Sequence, residues 1–360
     1  MPFTGAELTQ LGFIALDHFM RNNPIDQVAQ QRPLLSKLSA KKKAFPGAKQ
    51  YIVEQVRHSY DSNFQWYFGD DQVTYNRKDT VRQANFEWKG AHDGFSLNED
   101  FLLGNGITIV DSQQPTTNTG AEMQQLTNLF EENMETLRLG FEEEFDLDLH
   151  RDGSANANNI EGLDHLVALD PTAGVVGGID RATALWWRNQ ANTGVLRDGS
   201  DMINAMETMW RDCTRNGGSP DFIIAGGNYI DIFRDAAKGE ISRYMTQNVT
   251  FTTPGQMDPS IKQDNGATFT GLHFQGVPIV YDPSFQVLDA ADSPATPWED
   301  RCYFINTKHM KLRPAQGHDM IPRKPPRDHD YYIYYWGLTW KGGLCINRSN
   351  CHGVLALAAP

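Results

Sequence analysis

Between residues 50 and 88 the chain alternates with a period of two and has nothing of its own to lie on. Tyr51-Ile52-Val53, Asn63-Phe64-Gln65-Trp66-Tyr67-Phe68, a turn at Gly69-Asp70-Asp71, Val73-Thr74-Tyr75 and Asn85-Phe86-Glu87-Trp88 predict a long antiparallel hairpin. Away from these aromatics the segment is polar, with Arg57, His58, Asp61, Arg77, Lys78, Asp79 and Arg82. An isolated two-stranded ribbon is marginal in water, so this one needs a surface from elsewhere. Phe64, Trp66, Phe68, Tyr75, Phe86 and Trp88 are therefore the candidate residues for contact with a second chain.

The residues before the ribbon do not supply that surface. Leu8, Leu11, Phe13, Ile14, Leu16, Phe19 and Met20 predict a short amphipathic helix ending before Asn22-Asn23-Pro24. From there to residue 48 the chain is polar, then basic, and is broken by Pro33 and Pro46-Gly47, which predicts an extended arm. Arg32, Lys37, Lys41, Lys42, Lys43 and Lys49 form a basic run without an acid, read as a solvated arm rather than a nucleic-acid patch. The whole chain carries a formal net charge of -13, which argues against a general clamp on phosphates.

The remainder is long enough for a substantial core. Its 360 residues correspond to roughly two or three domains of ordinary size, and 40% hydrophobic with 21% charged residues is a globular balance. No window reaches the ~18 apolar residues of a membrane span, so no membrane partner is expected. The start, Met1-Pro2-Phe3-Thr4, lacks the regions of a signal peptide, which predicts a cytoplasmic site of synthesis and assembly. Cys213, Cys302, Cys345 and Cys351 have no CxxC spacing and are read as buried thiols.

Helical period returns over residues 119–147, where Met123, Leu126, Phe130, Met134, Leu137, Phe141 and Phe145 recur at steps of three and four behind the capping types Asn118 and Thr119. Gly140 sits inside this long helix as a candidate hinge, the alternative being close packing against a strand. Residues 200–239 read as helix, strand, helix: Ile203, Met206, Trp210 and Cys213 on one face, then Phe222-Ile223-Ile224-Ala225, then a helix capped by Gly239. A hairpin follows with its turn at Gln275-Gly276, and Pro278 marks its second strand as an edge. Strands at residues 302–305, 331–336 and 353–357 close the chain.

No catalytic constellation accompanies this architecture. There is no GxxxxGK[ST], HExxH or GxSxG pattern, and Ala225-Gly226-Gly227-Asn228 is better read as a tight turn than as a phosphate loop. The run Asp148-Leu149-His150-Arg151-Asp152-Gly153 misplaces the ligands of a calcium loop. Asp328-His329-Asp330, Cys351-His352, His58 and His92 lack spaced partners, so neither a catalytic residue nor a metal or other cofactor is expected.

Gly162-Leu163-Asp164-His165-Leu166-Val167, Gly177-Gly178-Ile179-Asp180-Arg181 and Trp186-Trp187-Arg188-Asn189 resemble the major capsid proteins of tailed bacteriophages. Phe45-Pro46-Gly47, Phe64-Gln65-Trp66, Gly69-Asp70-Asp71 and His92-Asp93-Gly94-Phe95 extend the resemblance over most of the chain. It implies the α+β Hong Kong 97-type capsid fold: an N-terminal arm over residues 1–48 and an extended β-hairpin loop over 49–98. A peripheral domain over 99–195 would hold the spine helix at 119–147, an α/β axial domain would span 196–305, and strands of 306–360 would return to the peripheral domain. It further implies a structural, non-enzymatic subunit that self-assembles into the pentamers and hexamers of an icosahedral or prolate head. A separate scaffolding protein and a portal would be partners, with the binding of a decoration protein left open, and the double-stranded DNA inside would be contacted weakly and non-specifically. An encapsulin-like nanocompartment shares the fold, though the double tryptophan favours the phage resemblance. A cytoplasmic enzyme with a long lid is the competing class, and it would need a pocket of convergent titratable groups.

Overall fold

The computed structural model describes residues 30–47, 50–98, 100, 104, 120–215, 217–244, 269–323, 325 and 333–359. In chain order the helices are α1 (Pro33–Ala40), α2 (Gly120–His150), α3 (Leu163–Leu166), α4 (Gly199–Arg215), α5 (Gly227–Tyr244) and α6 (Ser284–Asp292). The strands are β1 (Ile52–Arg57), β2 (Val81–Phe86), β3 (Lys89–Asn98), β4 (Val175–Val176), β5 (Ile179–Asp180), β6 (Gln190–Val195) and β7 (Phe222–Ala225). They continue with β8 (Phe269–Phe274), β9 (Val277–Tyr281), β10 (Arg301–Ile305), β11 (Met310–Pro314), β12 (Ile321–Arg323), β13 (Ile333–Ile346) and β14 (Gly353–Leu357).

Unbroken apolar strands build the centre. β7, β10 and β14 lie in a six-stranded sheet of order β6-β14-β10-β7-β9-β8, and every residue of these three strands is buried. Successive side chains of a strand point to opposite faces, so such a run must be covered on both sides. Phe222, Ile224, Tyr303, Ile305 and Val354 join one core, with α6, Trp187, Trp298 and the inner face of α2. Ile223, Ala225, Cys302, Phe304 and Leu355 join a second, closed by Met202, Met206 and Met209 of α4 and by Tyr229, Ile230 and Phe233 of α5. β14 lies between β6 and β10, pairing parallel with the former and antiparallel with the latter.

A four-stranded sheet carries the other side of the molecule. β13 pairs antiparallel with β3 from Ile333↔Asn98 to Gly342↔Lys89, and also with β11 and β12. α2 packs on it through its C-terminal half, with Phe141 stacked on Phe145 at 5.8 Å and Phe145 against Trp340 at 4.7 Å. At 31 residues α2 is about 46 Å long.

Three local expectations are corrected. Residues 33–40 are helical rather than extended, because Pro33 at the first turn pre-sets the backbone and Leu34, Leu35 and Leu38 find cover in the main core. α5 runs through Gly239 to Tyr244 instead of stopping there. Pro278 lies on β9, which is internal, but opposite His273 and just before the β7 register begins at Ile223↔Ile279, so no bond to β7 is asked of its missing N–H. The hairpin turn is at Gln275-Gly276, both with positive φ (49° and 80°), as a type I′ turn requires. The helix expected over residues 7–21 and the caps Asn118 and Thr119 lie outside the described residues.

Candidate subunit interface

The base of the ribbon is fixed to the body. β1 and β2 pair from Ile52↔Phe86 to Arg57↔Val81, sending Ile52, Val56, Ala84 and Phe86 into the main core. The Phe86 ring and Ala84 close on Gly177 (φ +59°), where a Cβ would stand 3.0 Å from the Phe86 ring and 3.1 Å from Ala84. The Asn85 amide donates to the Gly177 carbonyl at 2.8 Å. Glu54 pairs with Arg313, Trp88 meets Phe45 edge-on at 5.8 Å, and the His58 ring lies 5.2 Å from Trp186. Phe86, 2% exposed, and Trp88, partly buried against the core, thus hold the base of the loop on the body.

Past the His58 amide, which donates to the Thr80 carbonyl at 3.0 Å, the backbone ladder stops. Residues 58–80 hold no strand, against the expectation of paired strands at 63–68 and 73–75, because no second layer covers them. Side chains keep the two limbs together instead. Ser59 Oγ donates to the Asp79 carbonyl at 3.1 Å and the Asp79 amide to Asp61 Oδ2 at 3.2 Å. Asn63 and Gln65 both reach Thr74, and the Phe68 amide donates to Asp71 Oδ2 at 3.0 Å beside Gly69 (φ +57°).

The apolar groups at this tip face water: Phe64 is 72% exposed, Trp66 91%, Phe68 89% and Tyr75 92%. Phe64 and Trp66 touch each other edge to face at 5.2 Å. Burying each such ring is worth about 1.5–3 kcal/mol, or about 6–12 kcal/mol for the four. The loss of translational and rotational freedom on association costs roughly 4–15 kcal/mol, so a stable contact built on these rings would need further area.

The basic run is stitched into the body. Arg32 (9% exposed) reaches Glu143 at 3.4 Å, and Lys37 (4% exposed) holds its ammonium 5.6 Å over the Phe222 ring. Lys41 bonds Asp221 at 2.7 Å, Lys42 pairs with Asp319, and the Lys43 amide donates to the Leu312 carbonyl at 3.2 Å. Burial works to raise the Asp221 carboxyl, but bonds from Lys41 and Thr307 outweigh it and hold it below the usual range. Arg32 and Lys37 are thus not part of a solvated arm, and Lys49 lies outside the described residues. Their side chains are covered because α1 docks on α2 and β11, a contact between segments over a hundred residues apart that composition does not reveal.

Gly140 has no atom within 4 Å of where a Cβ would stand. Close packing therefore does not explain it. α2 runs through this position without a break, flanked by bonds from Arg138 to Glu135 (2.9 Å) and Glu142 (3.0 Å).

The four cysteines are buried free thiols, and burial pushes all of them up, Cys351 to about 12, so none is a ready nucleophile. A groove of about 630 Å³ beside the ribbon base is lined by Arg57, His58, Trp186, His309 and Arg348. Asp146, His150 and Asp282 are the described trio whose ligand-type atoms lie within 4.8 Å of one another. Those atoms are hydrogen-bonded within the protein: His150 Nδ1 to the Asp146 carbonyl at 2.7 Å and Nε2 to Asp282 Oδ2 at 3.0 Å. The Asp146–His150 spacing of four on a helix is visible in sequence; Asp282, 132 residues away from His150, is not.

No family model matches the sequence, and no curated protein does. Solved structures do. The chain is similar to a subunit of the cyanophage A-1(L) capsid asymmetric unit, with a TM-score of 0.58 at 14% identity over 94% of this chain and 96% of that one. It is similar to a chain of the cyanophage P-SCSP1u capsid, TM-score 0.54 at 9% identity, covering 96% and 94%. A chain of the capsid of a native GTA particle matches with a TM-score of 0.52 at 9% identity, covering 96% and 98%. The fold is that of phage capsid subunits along nearly the whole chain.

Proposed function

We propose that the chain is the major capsid protein of a tailed phage, a structural and non-enzymatic subunit that self-assembles into the pentamers and hexamers of a head around double-stranded DNA. The single observation that carries this is the combination of near-complete coverage of capsid chains on both sides with an aromatic loop tip exposed to water. In this reading residues 58–80 are the tip of the extended loop, α2 is the spine helix, and the six-stranded sheet with α4 and α5 is the core of the axial domain. Phe64, Trp66, Phe68 and Tyr75 cover a neighbouring subunit, Gly140 lets the spine bend, and α1 belongs to the body instead of reaching out. A scaffolding protein, a portal and a decoration protein are further partners. The net charge of -13 suits a wall that confines DNA without gripping it. No described helix is long and apolar enough to cross a membrane.

The test is electron microscopy of the full chain, expressed alone and with its scaffolding protein, beside a variant lacking residues 60–80. Closed shells from the full chain and dispersed subunits from the variant are expected. Normal shells from the variant would remove the loop from the interface, and a full chain that stays monomeric in both settings would overturn the reading altogether.

A further inference from the structure

Three segments far apart in sequence meet at one buried cluster. Asp146 and His150 stand a turn apart at the end of α2, and Asp282 lies in the turn between β9 and α6; none is more than 1% exposed. Asp146 Oδ1 accepts from the Leu35 amide of α1 at 3.2 Å, and its Oδ2 accepts from Ser284 Oγ at 2.7 Å. Asp282 Oδ1 accepts from the Ser284 amide at 3.0 Å. The imidazole faces two acceptors, the Asp146 carbonyl through Nδ1 and Asp282 Oδ2 through Nε2, and Asp146 Oδ2 is 3.8 Å from Nδ1. With an acceptor opposite each ring nitrogen, both carry hydrogen, and His150 is an imidazolium between two carboxylates.

We propose that this cluster is a proton-operated latch: the charged imidazole ties α1, α2 and the β9–α6 turn together, and loss of its proton frees α1. A neutral imidazole has one N–H. Either the Asp146 carbonyl or the Asp282 carboxylate then loses its donor, and two buried carboxylates face each other with no cation between them. Asp146 is the group that also holds the Leu35 amide, so the strain falls on the docking of α1.

Among the described residues, the rings and cations nearest the cluster are engaged as follows. Phe285 and Trp298 stand edge-on to the imidazole at 5.4 and 6.2 Å and exclude water. Beyond the Trp298 ring lies Arg301, 4.2 Å from it and paired with Asp164 at 3.1 Å. On α1 itself Lys37 is turned over Phe222, and Arg32, just before it, is turned to Glu143. Burial opposes the charge on His150, but Asp282 and Asp146 outweigh it and raise the group to about 9. Burial also raises Asp146, against the pull of His150.

A group raised in the folded state stabilises that state fully below its unfolded value and ceases to as pH rises through the folded one. For His150 the window runs from about 6.5 to about 9, and across it the opening constant grows by up to about tenfold per pH unit. The raised Asp146 acts with the same sign at lower pH.

Hydrogen exchange of the full chain, read by mass spectrometry from pH 6 to 10 and corrected for intrinsic rates, tests this. Protection of residues 34–40 should fall as pH rises through this window, by up to about tenfold per pH unit, while residues 222–225 hold theirs. His150→Gln should abolish that dependence. Asp146→Asn keeps an acceptor for Leu35 but removes one carboxylate charge, so its midpoint should move to lower pH. Flat protection of residues 34–40 in the unaltered chain, an unchanged profile in His150→Gln, or an unmoved midpoint in Asp146→Asn would each overturn the latch. So would one transition-metal ion per chain whose removal by chelator frees α1 at neutral pH. If His150→Gln does not fold, Asp146→Asn decides alone.

Discussion

Replacing Gly140 by alanine separates the stability of the subunit from the motion of its long helix. The added methyl would meet no atom within 4 Å, so no steric cost offsets the gain in helix propensity. That gain is about 1 kcal/mol, partly from a less flexible unfolded chain. Spread over the unfolding entropy of 360 residues it raises Tm by only about 1–2 °C, so urea denaturation of dispersed subunits followed by tryptophan fluorescence is the better measure. If the helix must bend at this residue during assembly or expansion, the same ~1 kcal/mol lowers the bent population about fivefold. Light scattering and time-resolved electron microscopy would then show slower assembly or expansion from a more stable subunit. A more stable subunit with unchanged kinetics refutes the hinge. A less stable one refutes the claim that the position is open.

Phe86→Ala should destabilise the subunit by about 3–5 kcal/mol in urea titration, since the ring is core, whereas Phe68→Ser should move stability by less than about 0.5 kcal/mol and yet impair shell formation on micrographs. Leu38→Ala should cost about 2–5 kcal/mol and expose residues 33–47 to limited proteolysis ahead of the rest. Asp221 is held below the usual carboxylate range, so its contribution is present at neutral pH and is lost as pH falls through and below that range; Asp221→Asn should flatten this acid limb of the stability profile.

What could be read in the sequence followed from local period. The long helix was legible because its apolar residues recur at steps of three and four, and β7 because four consecutive apolar residues need cover on both faces. The aromatic loop was legible as a feature without a partner, but the alternation that made Phe64 to Phe68 look like a strand does not form a ladder where no second layer exists. Phe86 and Trp88 share that alternation, and only the packing against Gly177 and Phe45 separates them from the tip. α1 was missed because its lysines suggested solvent, while the surfaces that receive Leu34 and Lys37 come from residues far along the chain. The same distance hid Asp282 from His150 and β14 from β6.

The strand order also sets a timetable. β14 is inserted between β6 and β10, yet roughly 160 residues separate β6 from it along the chain. At ribosomal speeds of ~5–20 residues per second, β6 waits roughly 8–30 s for the neighbour that completes its sheet. The aromatic tip at residues 58–80, by contrast, precedes even β6 by over a hundred residues. On each newly made chain the exposed rings of residues 64–75 therefore emerge well before the six-stranded sheet can close.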